Sequence, residues 1–254
     1  MNASDPKARF SDRVDSYSRC RPSYPRQVVE LLSMRLGLEP PAPIADVGAG
    51  TGILTGLLLE AGYEVFAVEP NAAMRRAADA ALSRHPRYRS VEGAAEATGL
   101  PAASVAAVTA AQAFHWFEVT AARREFVRIL RPGGAAVVIW NQRRTDATPF
   151  LHEYEAILRR HSPDYVNVSH KYQDATALAA LFAPHAPQYE RFEYVQSFDW
   201  DALCGRVLSS SYVPTSGPAH DAIFADLRAA FDRGQHAGIV RFEYHTDVYF
   251  GPVG

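Results

Sequence analysis

Chemistry in this chain concentrates where a strand-like run, Ile44-Ala45-Asp46-Val47, meets Gly48-Ala49-Gly50-Thr51-Gly52 and a helical run from Ile53. A second apolar run, Tyr63 to Val68, ends on the acidic Glu69 and Pro70. Glycines lack a Cβ, so the backbone can turn sharply there and a ligand can approach it closely. The helix beginning near Ile53 aims its free N–H groups at the same place. An acid ending the next strand is placed to accept hydrogen bonds from both hydroxyls of a ribose. Together these parts predict a nucleoside-binding crevice.

Spacing narrows the nucleoside. A dinucleotide fingerprint needs a third glycine or alanine three residues beyond the second glycine. Here Gly52 comes one place early, and no Gly-Lys-Ser/Thr ending supports a phosphate loop. Asp46, ahead of the glycines, would repel a pyrophosphate. It suits a cationic ligand, such as an amino-acid ammonium or a sulfonium.

Further chemistry-bearing residues cluster downstream. Glu92-Gly93-Ala94-Ala95-Glu96 and Gln112-Ala113-Phe114-His115-Trp116-Phe117 each follow a strand-like run. The second lies at the carboxyl end of a sheet, where open α/β folds bind ligands. Two readings of it stand side by side: His115 as a base walled by Phe114 and Trp116, or an aromatic phrase that packs the next helix. Met74 likewise either lies against a base or packs its helix. Tyr172, Trp200, Tyr212 and Tyr244 either line an aromatic substrate pocket or fill a core. Seven scattered histidines (152, 161, 170, 185, 220, 236 and 245) show no metal-ligand spacing, so no metal is expected.

The elements that must hold these residues follow from periodicity. Arg26 to Leu36 has helical spacing and ends at Gly37. Strand and helix then alternate through Trp140, with helices at 54–61, 71–83 and 122–130 and strands at 63–68, 88–92, 105–110 and 135–140. Asn71 is the expected cap of the second of these helices. Such alternation predicts right-handed crossovers and a doubly wound α/β sheet. Beyond Trp140 the rhythm changes. Residues 150–160, 201–211 and 220–231 read as helices, and 188–198 and 241–250 alternate like strands. Residues 161–190 are rich in Pro, His and Tyr, and no element is assigned before the strand at 188. The final strand is expected to complete the sheet antiparallel to the others. Three parts result: a helical lead-in at 1–43, a cofactor-binding core at 44–140, and a cap with sheet-completing strands at 141–254.

Composition bounds the rest. At 254 residues the chain can bury a full core, and 48% hydrophobic with 21% charged residues is ordinary for a globular protein. A net charge of −2 gives no field that would attract nucleic acid or an anionic membrane. Two isolated cysteines, Cys20 and Cys204, make neither a disulfide framework nor a zinc site. No apolar run reaches membrane-spanning length and the N-terminus has no signal-peptide core. A cytoplasmic monomer or homodimer is expected.

The turn with Asp46 before it and Glu69 after it resembles the first two motifs of class I S-adenosylmethionine-dependent methyltransferases. Leu130-Arg131-Pro132-Gly133-Gly134 resembles the same family's turn before strand five. The Ala-Gln-Ala-Phe-His-Trp-Phe wording at 111–117 and the lead-in from Phe10 to Pro25 resemble a small-molecule subgroup that includes trans-aconitate methyltransferase-like proteins. The resemblance implies a seven-stranded, mostly parallel Rossmann-like sheet with an antiparallel final strand and a partly helical cap. It implies S-adenosylmethionine as cofactor and S-adenosylhomocysteine as product. Gly48, Ala49, Gly50 and Gly52 would lie by the methionine part, with Asp46 orienting the turn and facing the ammonium. Glu69 and Pro70 would border the ribose, Met74 the adenine face, and Ala95 and Glu96 the adenine edge. Gln112 would touch the cofactor, while Tyr17 and Arg21 would lie over it and reach its carboxylate, a two-point match for a guanidinium. Tyr24, Phe114, Trp116, Tyr172 and Tyr212 would meet the acceptor, and Ser209-Ser210-Ser211-Tyr212-Val213-Pro214 recurs in the C-terminal part of similar proteins.

The reaction so implied is an in-line displacement, in which the protein aligns nucleophile and methyl group and excludes water. A small-molecule N, O or S acceptor is favoured over carbon. No Asn/Asp-Pro-Pro-Tyr/Phe phrase follows the fourth strand, as a base-flipping amino-methyltransferase would require. A tRNA acceptor and a non-catalytic cofactor-binding protein are the alternatives; the glycine spacing argues against a nicotinamide oxidoreductase.

Overall fold

A computed structural model describes residues 21–162, 165, 174–210 and 212–254. Seven strands form one sheet in the order β3-β2-β1-β4-β5-β7-β6. They are β1 (Pro43–Val47), β2 (Glu64–Val68), β3 (Tyr88–Val91), β4 (Val105–Ala111), β5 (Leu130–Arg143), β6 (Gln188–Phe198) and β7 (Val240–Gly251). The first five pair in parallel. Strand β7 runs antiparallel to both its neighbours, so it lies inside the sheet and β6 takes the edge.

Both faces of the parallel part are covered, and the strand sequences show why. Successive side chains on a strand point to opposite faces. Ile44, Val137 and Ile139 face α1 (Gln27–Leu36) and α2 (Ile53–Glu60), through Val28, Leu31, Leu32, Leu54 and Leu58. Ala45, Val47, Ala136 and Val138 face the other way, onto Ala122, Phe126 and Ile129 of α4 (Val119–Ile129). Near-continuous apolar strands are what two covered faces demand. Between β2 and β3, α3 (Ala72–Leu82) is capped by Asn71, whose side chain accepts from the N–H groups of Ala73 and Met74. This is the cap that the sequence predicts.

A third apolar cluster belongs to residues beyond 141. It joins α5 (Pro149–His161), α7 (Trp200–Leu208) and α8 (Pro218–Gly234) to the shared end of β6 and β7, through Phe198, Val240 and Phe242. The cap therefore grows out of the sheet.

Two elements differ from expectation. Ala175–Phe182 is a helix, α6, inside the stretch to which the sequence assigns no element. Its exposed side carries only alanines and Thr176, so it lacks the charged face that betrays an amphipathic helix. Leu178, Leu181 and Phe182 bury it against the sheet. Strand β5 also begins earlier than expected. Val105 pairs with Leu130 and Ala107 with Ala135, so Arg131–Gly134 forms a bulge between two paired stretches. Among the described residues, no helix is long and apolar enough to cross a membrane.

Candidate active site

The glycine turn is held by the strand beside it. The N–H groups of Gly48 and Ala49 both donate to the carbonyl of Val68, at 2.9 and 3.2 Å. Gly48 has φ +73°, and a Cβ there would come within 2.5 Å of the Ala113 Cβ, so the end of β4 can close onto the turn only over a glycine. Gly50 also has positive φ, but a Cβ there would meet nothing within 4 Å. Backbone facing open space on a glycine turn is a cradle for a ligand.

Glu69 ties the cradle to the next helix. Its two carboxylate oxygens accept from the N–H groups of Gly50 and Asn71, each at 2.8 Å. Burial raises its pKa, and those two hydrogen bonds and Arg75 partly offset the rise. Arg75 donates to the Glu69 carbonyl at 2.8 Å and pairs with Glu92, so it braces the same corner. Each carboxylate oxygen keeps a lone pair for a ligand hydroxyl.

Asp46 is 1% exposed and works beneath the turn. Thr55 donates to one of its oxygens at 2.6 Å and Thr109 to the other at 2.9 Å. Thus α2 and β4 are both fastened to β1 at the root of the glycines. Burial pushes its pKa up to about 6, against the lowering effect of the two threonine hydroxyls.

At the end of β4 the backbone of Gln112 adopts φ +54°. A non-glycine residue held there is strained by roughly 1–3 kcal/mol. The Gln112 amide is anchored by donating to the Asn141 carbonyl at 3.0 Å. Asn141 in turn donates to the Ser23 carbonyl at 2.8 Å and accepts from Thr246 at 2.6 Å. Arg21 reaches the carbonyl of Ser209 at 3.0 Å. One short segment, 21–24, thereby links the core, at the tip of β5, to the cap.

The remaining expected residues fall in several places. Pro70 is half-buried behind Glu69, Met74 is buried on α3, and Ala95 is buried after β3. Glu96 accepts from the Glu118 N–H at 2.8 Å, fastening the start of α4. His115 is half-buried with its ring 4.8 Å from that of the exposed Trp116. Phe114 is buried edge-on against Phe117 and Trp140, so it backs the site from the core. Tyr24 is buried in the cluster of α1 and α2. Tyr212 meets Tyr165 edge-on at 4.9 Å in the cap. Tyr17 and Tyr172 lie outside the described residues.

Two cap residues escaped the sequence reading, Arg143 and Arg206. The Arg143 side chain is 10% exposed, pairs with Glu155 at 2.7 Å, and stacks 4.5 Å from the Tyr154 ring. Arg206 is 6% exposed. Its signal was present: it shares the buried face of α7 with Leu203 and Val207, three and one residues away. A charge on an apolar helix face is the informative exception. Among the described residues no cluster of His, Cys, Asp and Glu could hold a metal ion.

An open glycine cradle, an acid at the end of β2 and a second acid under the turn fit a cationic nucleoside. Known proteins agree. The methyltransferase domain family matches residues 45–138. An uncharacterized methyltransferase of Mycobacterium tuberculosis is 40% identical over 207 residues, 82% of this chain and 78% of that one. An uncharacterized methyltransferase of Schizosaccharomyces pombe is 30% identical over 59% of each chain. A solved structure of a candidate type II methyltransferase from Anaeromyxobacter dehalogenans covers 92% of this chain and 98% of its own, at 27% identity and TM-score 0.68. The chain belongs to the class I S-adenosylmethionine-dependent methyltransferases. It is an enzyme, and its cofactor is S-adenosylmethionine.

Proposed function

We propose that this methyltransferase acts on a small-molecule N, O or S nucleophile. The observation that carries this reading is the polar interior of the cap. Arg143, Tyr154, Arg206 and Tyr244 are buried or nearly so, and Arg143 ends β5 with Tyr244 paired beside it. Side chains so enclosed suit a molecule that enters whole, and a folded RNA cannot reach them. The three parts divide the work in this reading: the lead-in at 1–43 closes over the cofactor, the core at 44–140 holds it, and the residues from 141 onward receive the acceptor.

When bound, S-adenosylmethionine supplies an electrophilic methyl carbon on its sulfonium. Glu69 accepts from the ribose hydroxyls, and the N–H groups of the 48–52 turn lie along the methionine part. Asp46 adds negative charge beneath that turn, and Arg21 stands where a carboxylate can be paired. Gln112 and Asn141 set the edge between cofactor and acceptor, and Phe114 backs the wall carrying His115 and Trp116. His115 takes a proton where the acceptor is a hydroxyl or an azole; a thiolate needs no base.

An acceptor screen read by release of S-adenosylhomocysteine tests this, with bulk tRNA as a separate arm. Turnover with a small molecule and none with tRNA supports the reading. Salt-sensitive turnover with tRNA alone overturns it.

A further inference from the structure

Resting on the small-molecule reading, we infer that the acceptor is a carboxylic acid whose carboxylate is a handle gripped by Arg206 and Arg143, and that a different atom of it is methylated.

The inference starts from charge. Arg143 shares Glu155 with Arg159 and with the Tyr165 hydroxyl, so its own charge is met. Arg206 has no such partner: no described carboxylate pairs with it. It donates to the neutral hydroxyls of Ser210, at 3.0 Å, and Ser209, at 3.5 Å. A buried charge without a counter-charge costs several kcal/mol, and proteins keep one where something else meets it.

The hydrogen-bond inventory points to the same place. The Nε–H groups of both arginines are buried with no partner among the described residues, as is the Tyr154 hydroxyl. The two guanidiniums lie within electrostatic reach of each other and of the same phenols, Tyr154 and Tyr212. Their field is felt at Tyr212: burial raises its pKa, yet Arg206 and Arg143 bring it below the ordinary phenol value. Donors and a positive charge left unmet among the described residues, with apolar ring faces beside them, suit an aromatic or aliphatic monoanion.

Chemistry selects the anion. One uncompensated charge matches one carboxylate, whereas a phosphate dianion would leave a surplus. Oxygens held by charge-assisted hydrogen bonds have their lone pairs engaged and are poor nucleophiles. The handle therefore orients the molecule, and a second group on it faces the cofactor beyond Gln112 and Asn141.

Calorimetry on the protein loaded with S-adenosylhomocysteine tests this. The probes are benzoate, 4-hydroxybenzoate and succinate, each against its neutral amide, with inorganic phosphate as a further arm. At least one acid should bind about tenfold or more tighter than its amide. Arg206→Gln should remove that preference and Arg206→Lys should keep part of it, with S-adenosylhomocysteine affinity unchanged in both. If S-adenosylhomocysteine binds the wild type and no acid outperforms its amide, the inference is wrong, whether or not the variants fold. Phosphate binding tighter than every acid also overturns it, as does a base-labile methyl ester as the product of any acid that turns over. No S-adenosylhomocysteine binding at all would instead strike the cofactor assignment beneath it.

Discussion

The glycine turn and the cap solve the problem of buried charge in opposite ways. At the turn, both acids are met from within at each oxygen: Asp46 by two threonine hydroxyls and Glu69 by two backbone N–H groups. In the cap, Arg206 pairs with no described carboxylate and donates to serine hydroxyls, and several donors have no described partner. The turn is a finished structure that a ligand joins. The cap is an unfinished one that a ligand would complete. A site for a constant cofactor can be closed on itself, whereas a site that selects an acceptor keeps its polar groups for that acceptor.

The largest test of this contrast is electrostatic. Asp46 holds its proton up to about pH 6 when folded, against 3.8 as its ordinary value. The folded state thus binds more protons inside that window, so stability falls as pH rises through it and levels off above. The full cost at neutral pH is roughly 3 kcal/mol. Asp46→Asn should lack this decline, seen as urea midpoints that differ from wild type above about pH 6 and converge near pH 4. Parallel midpoints for the two proteins across that range would break the assignment.

Next in size, Glu69→Ala removes the anchor of Gly50 and the acceptor for ribose. Loss of a charge-assisted pair of hydrogen bonds should weaken S-adenosylhomocysteine binding by about 2–3 kcal/mol, on the order of 30- to 150-fold. Calorimetry reads it, and a change below about threefold would remove Glu69 from the ligand's contacts. His115→Ala is a smaller probe of the wall between the regions. Turnover of a hydroxyl acceptor should drop at least about tenfold with cofactor affinity intact; equal turnover would make His115 a space-filler. Smallest is Tyr154→Phe. Removing a buried hydroxyl that has no described partner should leave stability unchanged or raise it by about 1 kcal/mol, since the ring over Arg143 remains. A clear loss in the thermal midpoint would mean that the hydroxyl is already satisfied, and the cap more nearly finished than argued above.

The same contrast governs what could be read from residue order. The turn was legible because its residues are neighbours in sequence: Asp46 to Gly52 is one strand end and one loop, and Glu69 closes the next strand. Asn71 as a cap was legible for the same reason. The cap assembles Arg143 from β5, Tyr154 from α5, Arg206 from α7 and Tyr244 from β7, and no local spacing joins them. Helix α6 stayed hidden because its exposed side is made of alanines and one threonine, so no charged face marks its periodicity. The depth of Phe114 and Tyr24 was equally out of reach, since an aromatic beside a site reads alike whether it faces the ligand or backs the wall. Glu96 reads as an adenine-edge acid by position, but its hydrogen bond to Glu118 depends on where α4 begins.

Strand β7 enters the sheet after every other strand has been made, and it enters between two of them. During synthesis, β5 and β6 must each wait with one row of N–H and C=O groups unpaired until residues 240–251 emerge. Asn141 waits as well, because Thr246 supplies the hydrogen bond that holds its side chain toward Ser23. A chain cut short before Val240 would carry the whole glycine turn yet expose two open strand edges, a template for aggregation. The residues that identify the cofactor thus leave the ribosome well before the strand that joins β5 to β6.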